Sequence, residues 1–173
     1  WGDTDFKRYT GSYFDIYPGL WRHGDRVRFT EQGGAHVLGR SDATLNRHGV
    51  RIGSAEIYRT LDAIPGIADS LIVCIEEGGG FFMPLFVAME TGDLTDALKA
   101  EITRRLRSER SPRHVPDVIV QAPGIPTTLT GKKMEVPVRR LLLGESPGKV
   151  ASKDAMKNPE VLDWFAAFAA ARR

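Results

Sequence analysis

The chain has 173 residues, of which 42% are hydrophobic and 27% charged, globular proportions that exclude disordered and fibrous classes. A formal net charge of +2 is too small to gather nucleic acid or an anionic membrane, so any basic contact must be local. Cys74 is the only cysteine and the four histidines show no metal-ligand spacing, which excludes an internal disulfide and argues against a metal centre.

Residues 1–41 are rich in aromatics, Gly and Asp, and the alternating stretches 26–29 and 35–38, divided by Gln32-Gly33-Gly34, predict a β-hairpin. Two strands are too few to be stable alone, so the hairpin is expected to join a larger sheet. Ala55, Ile57, Tyr58 and Leu61 fit one face of a helix from 54 to about 63, closed by Pro65-Gly66. The strand-like runs 70–75 and 81–89, joined by Gly78-Gly79-Gly80, predict a second hairpin. Asp93 is expected to cap a helix over 94–109, in which Leu94, Leu98, Ile102 and Leu106 recur every four residues.

Residues 118–120 read as a short strand, and a Pro- and Thr-rich loop over 123–131 leads to a helix over 136–143. Pro137 is tolerable there only in the first turn. Residues 145–158 read as a Ser, Pro, Gly and Lys linker, and 159–172 as an Ala-rich helix docking through Leu162, Phe165, Ala166 and Ala169. The order of elements predicts an α+β fold, a small domain behind a β-rich fragment.

No apolar run approaches the roughly 18–20 residues of a membrane span. The acidic opening Trp1-Gly2-Asp3-Thr4-Asp5 is unlike a basic signal-peptide start, and without an initiator methionine it suggests a piece of a longer protein. A reducing, cytoplasmic setting is expected.

Three stretches carry a resemblance: Trp21-Arg22-His23-Gly24-Asp25; Gly39-Arg40-Ser41-Asp42 with Gly49-Val50-Arg51-Ile52 and Glu56-Ile57; and Pro126-Thr127-Thr128-Leu129-Thr130-Gly131-Lys132. In this order and spacing, covering nearly the whole chain, they resemble the acyl-adenylate-forming enzymes: acyl-CoA ligases, peptide-synthetase adenylation domains and luciferases. The resemblance implies that 1–41 ends a large N-terminal domain, that 42–144 is the small mobile C-terminal domain, with a mixed sheet and flanking helices, and that 145–173 is a linker and final helix. It implies an active site between the two domains, where ATP and an acid give an acyl-adenylate and pyrophosphate. The small domain then swings and CoA attacks. ATP with Mg2+, bound mainly by the large domain, and CoA as co-substrate are expected.

The roles follow residue by residue. Asp25 resembles the aspartate that accepts both ribose hydroxyls of ATP, a task suited to an ionised carboxylate. Arg40 resembles the arginine near ribose and phosphates, and Arg51 a phosphate or adenylate contact. Asp42 resembles the hinge residue. Gly49 sits where the pantetheine arm of CoA passes along the backbone. Arg107 lies where related ligases hold the phosphorylated nucleotide of CoA. Glu56 reads as structural, a carboxylate near a helix N-terminus.

Lys132 resembles the adenylation lysine, a point cation where carboxylate meets α-phosphate, carried on a mobile Thr- and Gly-rich loop. Acetylation of Lys132, by an acetyltransferase and reversed by a deacetylase, would remove that charge. Lys133 is adjacent but does not directly follow the glycine.

As plain residues, Asp25 also fits a turn aspartate, Arg40 a solvated arginine, Asp42 a loop residue, Gly49 a turn glycine, and the basic cluster of Arg104, Arg105, Arg107, Arg110 and Arg113 a solvated helix face. That cluster lacks the interleaved aromatics of a nucleic-acid surface. A Walker phosphate loop is excluded, because six residues rather than four separate Gly124 from Gly131 and Lys133 follows Lys132 in place of Ser or Thr.

Within the family, Tyr13-Phe14 with Pro18 to Asp25, Ser41 to Asn46 through Ile57-Tyr58, and Asn158-Pro159-Glu160 look more like acetoacetate-CoA ligases than acetate-CoA ligases. Another short-chain ligase, for acetate or propionate, and a non-catalytic docking or regulatory module are the alternatives. A peptide-synthetase domain is a further rival, though it should continue into a carrier sequence. The acyl pocket of such enzymes lies in the large domain, so this chain is not expected to act by itself.

Overall fold

The computed structural model describes residues 4–41 and 44–172. The chain divides into two compact units, Trp1–Asp42 and Ala43–Arg173. In the first, a short helix α1 (Lys7–Tyr13) precedes the antiparallel strands β1 (Asp25–Phe29) and β2 (Ala35–Arg40). The hairpin is the expected one, while α1 was not foreseen, because its Lys-Arg-Tyr-Thr-Gly-Ser-Tyr sequence has no apolar periodicity and no side-chain cap. Val27 pairs with Val37 and Phe29 with Ala35, and Val27, Phe29 and Val37 are all exposed.

The second unit opens with a small hairpin of β3 (Leu45–Arg47) and β4 (Val50–Ile52), followed by α2 (Ser54–Leu61). The two apolar runs form the expected hairpin in two sections: β5 (Ile67–Ile72) pairs with β8 (Pro84–Met89), and beyond a break β6 (Ile75–Glu77) pairs with β7 (Gly80–Phe82). Asp117 clips the break, accepting from Met83 N at 2.7 Å while its own N–H donates to Met83 O at 3.0 Å. Strand β9 (Val118–Gln121) then adds parallel to β8, giving a mixed sheet of order β5-β8-β9.

Strand β8 is buried from Pro84 through Ala88, the signature of a central strand covered on both faces. Phe86 and Ala88 point to a layer formed by α4 (Glu135–Leu142) and α6 (Pro159–Ala171). Leu85 and Val87 point to the opposite layer of α2 and α3 (Asp96–Glu109). Phe86 meets Phe165 edge to face at 4.7 Å between centroids, anchoring the final helix on the sheet.

Helix α3 begins later than expected. Thr95, not Asp93, is the N-cap, accepting from Leu98 N at 3.2 Å, because Leu94 is held outside the helix by donating its N–H to Gln121 Oε1 at 2.7 Å. Residues 145–158, expected as a linker, are packed: α5 (Pro147–Val150) and a 3₁₀ turn at Lys153–Ala155 bring Val150 and Met156 into the core.

Candidate active site

In the first unit, Asp25 and Arg40 are backbone partners at the open end of the β1–β2 ladder. Gly24, at φ +88°, turns the chain into β1, and its carbonyl accepts from both Ser41 N at 2.8 Å and Ser41 Oγ at 3.0 Å. The Asp25 carboxylate faces His23 Nδ1 at 2.7 Å, and Trp21 lies edge to face with the His23 ring. The structure thus brings Asp25 and the Arg40 backbone together. The Arg40 side chain and Asp42, the expected hinge, lie outside the described residues.

Gly49 and Arg51 share the β3–β4 hairpin. His48 at φ +51° and Gly49 at φ +77° form a two-residue turn of the kind that closes tight hairpins, with Arg47 opposite Val50. His48 is held in that conformation with its ring against Phe81 at 4.7 Å. A Cβ added at Gly49 would meet nothing within 4 Å, so the backbone there is open to an approaching ligand. Arg51 is exposed on β4 opposite Asn46. Glu56 lies in the first turn of α2 with Oε2 3.3 Å from His114 Nε2, in keeping with the structural role expected of it.

Of the basic cluster on and after α3, three members are tied to the protein. Arg104 and Arg105 both donate to Glu101, and Arg110 donates to Thr60 Oγ1 at 3.1 Å. Among the described residues Arg107 has no such partner, and it lines a shallow open depression with Lys99, Ala100, Thr103, Arg104 and Ser108. The face is part solvated, as the plain reading has it, and part available to an anion.

Lys132 sits at the end of a tight turn rather than on a slack loop. Gly131 N donates to Thr128 O at 2.8 Å with Gly131 at φ +81°, Thr128 N donates to Lys132 O at 2.9 Å, and Lys132 N donates to Thr128 Oγ1 at 3.0 Å. The turn is docked from outside: Leu129 N donates to Ala155 O at 3.1 Å and Lys157 N to Thr127 O at 3.0 Å. Asn158 completes the mount, accepting from Thr127 N at 3.0 Å and donating to Ile125 O at 2.7 Å. The Lys132 side chain is exposed and, among the described residues, its ammonium has no hydrogen bond or ion pair.

Lys133 points the other way. Its Nζ lies 2.6 Å from Asp69 Oδ1, donates to Ser70 O at 2.7 Å and stands 4.0 Å over the Tyr58 ring. Tyr58 in turn donates to Glu135 Oε1 at 2.5 Å and accepts from Ile72 N at 3.2 Å. Burial first, and the Glu135 carboxylate second, push the Tyr58 hydroxyl well above its usual pKa, so it stays protonated as a donor. This polar cluster escaped sequence reading because its members lie 63 and 77 residues apart in the pairs Ser70–Lys133 and Tyr58–Glu135.

No protein-family profile matches the chain. Curated proteins do. Acetoacetyl-CoA synthetase of Caenorhabditis elegans is 47% identical over 167 residues, covering 94% of this chain and 23% of that protein. Malonamoyl-CoA synthetase of Penicillium aethiopicum is 42% identical over 166 residues, covering 92% of this chain and 23% of that protein. Among solved structures, acetoacetyl-CoA synthetase from Streptomyces lividans superposes with a TM-score of 0.91 at 46% identity, covering all of this chain and 26% of that one. The chain therefore spans about a quarter of the length of the relatives it matches.

Proposed function

We infer that the chain is part of an AMP-forming acyl-CoA ligase, in keeping with the relatives it matches, and that the protein containing it joins acetoacetate to CoA at the expense of ATP. An acid oxygen attacks the α-phosphorus of ATP, an O–P bond forms and pyrophosphate leaves. The CoA thiol then loses its proton and attacks the acyl carbon, a C–S bond forms and AMP leaves. Lys132 supplies the cation between carboxylate and α-phosphate in the first step. The observation that carries this reading is the exposed ammonium of Lys132, without a hydrogen bond or ion pair among the described residues, on a turn whose backbone is fixed by hydrogen bonds.

Asp25 is assigned to the ribose diol, Arg40 and Arg51 to the phosphates, Asp42 to the hinge, and Gly49 and Arg107 to CoA. ATP reaches these residues from the protein's N-terminal part, which is expected to hold its triphosphate. Among the described residues no group of three or more His, Cys, Asp or Glu could hold a metal ion. The Mg2+ expected with ATP would be held mainly by the large domain. Acetylation at Lys132 would neutralise the ammonium and stop adenylation. A cytoplasmic setting accords with these substrates, and no helix among the described residues is long and apolar enough to cross a membrane.

The names of the relatives support the proposed substrate class. Acetoacetate and malonamate both carry a carbonyl β to the carboxylate, and proteins named for each share this segment at similar identity. The test is AMP and thioester formation by the whole protein with acetoacetate, malonamate, acetate and propionate. Acetoacetate should exceed acetate in kcat/KM by about tenfold or more. Equal use of acetate would favour a general short-chain ligase, and no AMP with any acid would favour a docking module.

A further inference from the structure

We infer that Lys133 is a positioning residue for adenylation, the inward anchor that fixes where the Lys132 ammonium stands; this rests on the role proposed for Lys132. Lys133 pairs with Thr127 in an antiparallel bridge flanked by the bonds Thr128 N to Lys132 O and Met134 N to Pro126 O, each 2.9 Å, and along such a paired backbone successive side chains leave on opposite faces. Holding Lys133 inward therefore sends Lys132 outward.

Three groups on two elements hold the anchor: Asp69 and the Ser70 carbonyl on β5, and the Tyr58 ring on α2. The ring is itself locked by its hydroxyl between Glu135 and the Ile72 N–H. The turn carrying Lys132 is thus referenced to the central sheet on one side through Lys133, and to residues 155–158 on the other through backbone bonds and Asn158. The Lys133 side chain is 25% exposed and that of Asp69 34%, so the pair is partly shielded from solvent. Lys133 needs no contact with substrate. Its task is to hold its neighbour to the fraction of an ångström that transfer at phosphorus requires.

The test uses the whole protein with Lys133→Met, which keeps an apolar chain over the Tyr58 ring and removes the ammonium. The two half-reactions are followed separately: acid-dependent exchange of pyrophosphate into ATP, and thioester formation from supplied acyl-adenylate. Exchange should lose about 10- to 100-fold in kcat with the KM for ATP nearly unchanged, while thioester formation stays within about twofold. Lys133→Arg should recover most of the loss, since guanidinium can pair with Asp69 and stack on Tyr58. Should Lys133→Met fold poorly, Asp69→Asn gives the same reading with a milder change.

A folded Lys133→Met or Asp69→Asn protein with full exchange overturns the inference, as does a parallel loss of both half-reactions. Lys132→Ala separates the two claims: if it leaves exchange intact, the role of Lys132 fails, whereas if it abolishes exchange and Lys133→Met does not, only the anchor fails.

Discussion

Asp25 Oδ2 lies 2.7 Å from His23 Nδ1, with 21% of the aspartate side chain and 65% of the histidine exposed. An exposed ring on the approach to β1 thus orients a carboxylate that is itself largely covered. If that carboxylate accepts the ribose diol, Asp25→Ala should raise the KM for ATP by about tenfold or more, since charged hydrogen bonds are each worth about 1.5–3 kcal/mol. Initial rates against ATP concentration in the whole protein measure it. An unchanged KM would return Asp25 to the role of a turn residue.

Gly49 stands at φ +77° with open space where a side chain would project. A Gly49→Ala change should cost about 1–2 kcal/mol through the left-handed backbone alone. Gly49→Leu should add an obstacle, slowing thioester formation more than Ala does while leaving adenylation unchanged. Equal thioester rates for the two variants would contradict a path for CoA across this turn.

The second unit has its own two-sided core, so residues 43–173 should melt cooperatively without residues 1–41. Phe165 is fully buried against Phe86. Phe165→Ala should therefore lower the stability of this piece by about 3–5 kcal/mol, read by denaturant unfolding. A non-cooperative melt would show that the first unit is needed for folding.

Glu101 accepts from Arg104 Nε at 2.8 Å and Arg105 Nε at 2.7 Å, and these bonds lower its pKa from 4.5 to about 2. A carboxyl whose pKa is lower folded than unfolded adds stability above the unfolded value and loses it as pH falls through the folded one. Support for α3 should therefore fade between about pH 4.5 and pH 2, and added salt should weaken it. The melting temperature of residues 43–173 should fall less steeply over that range in Glu101→Gln than in the parent sequence. Identical slopes would show that the pair contributes nothing.

Much of the fold was legible because local pattern and tertiary burial agree. The apolar stripe of α3, the hairpin around Gly78-Gly79 and the docking face of α6 each bury the residues their periodicity marks, Leu106, Ile75 and Phe165 among them. The departures have non-local causes. Thr95 caps α3 because Gln121, on a distant strand, holds Leu94, and residues 145–158 are ordered because Met156 pairs with Thr128. At the candidate site the motifs point to Lys132, but what separates it from Lys133 is Asp69, Ser70 and Tyr58, which no spacing within the loop encodes.

The most direct test is Lys132→Ala in the whole protein, with the two half-reactions measured apart. Exchange of pyrophosphate into ATP should fall to background, and thioester formation from supplied acetoacetyl-adenylate should continue at close to its normal rate. Exchange that survives the substitution, or thioester formation that falls as far as exchange, would contradict the role given to this ammonium.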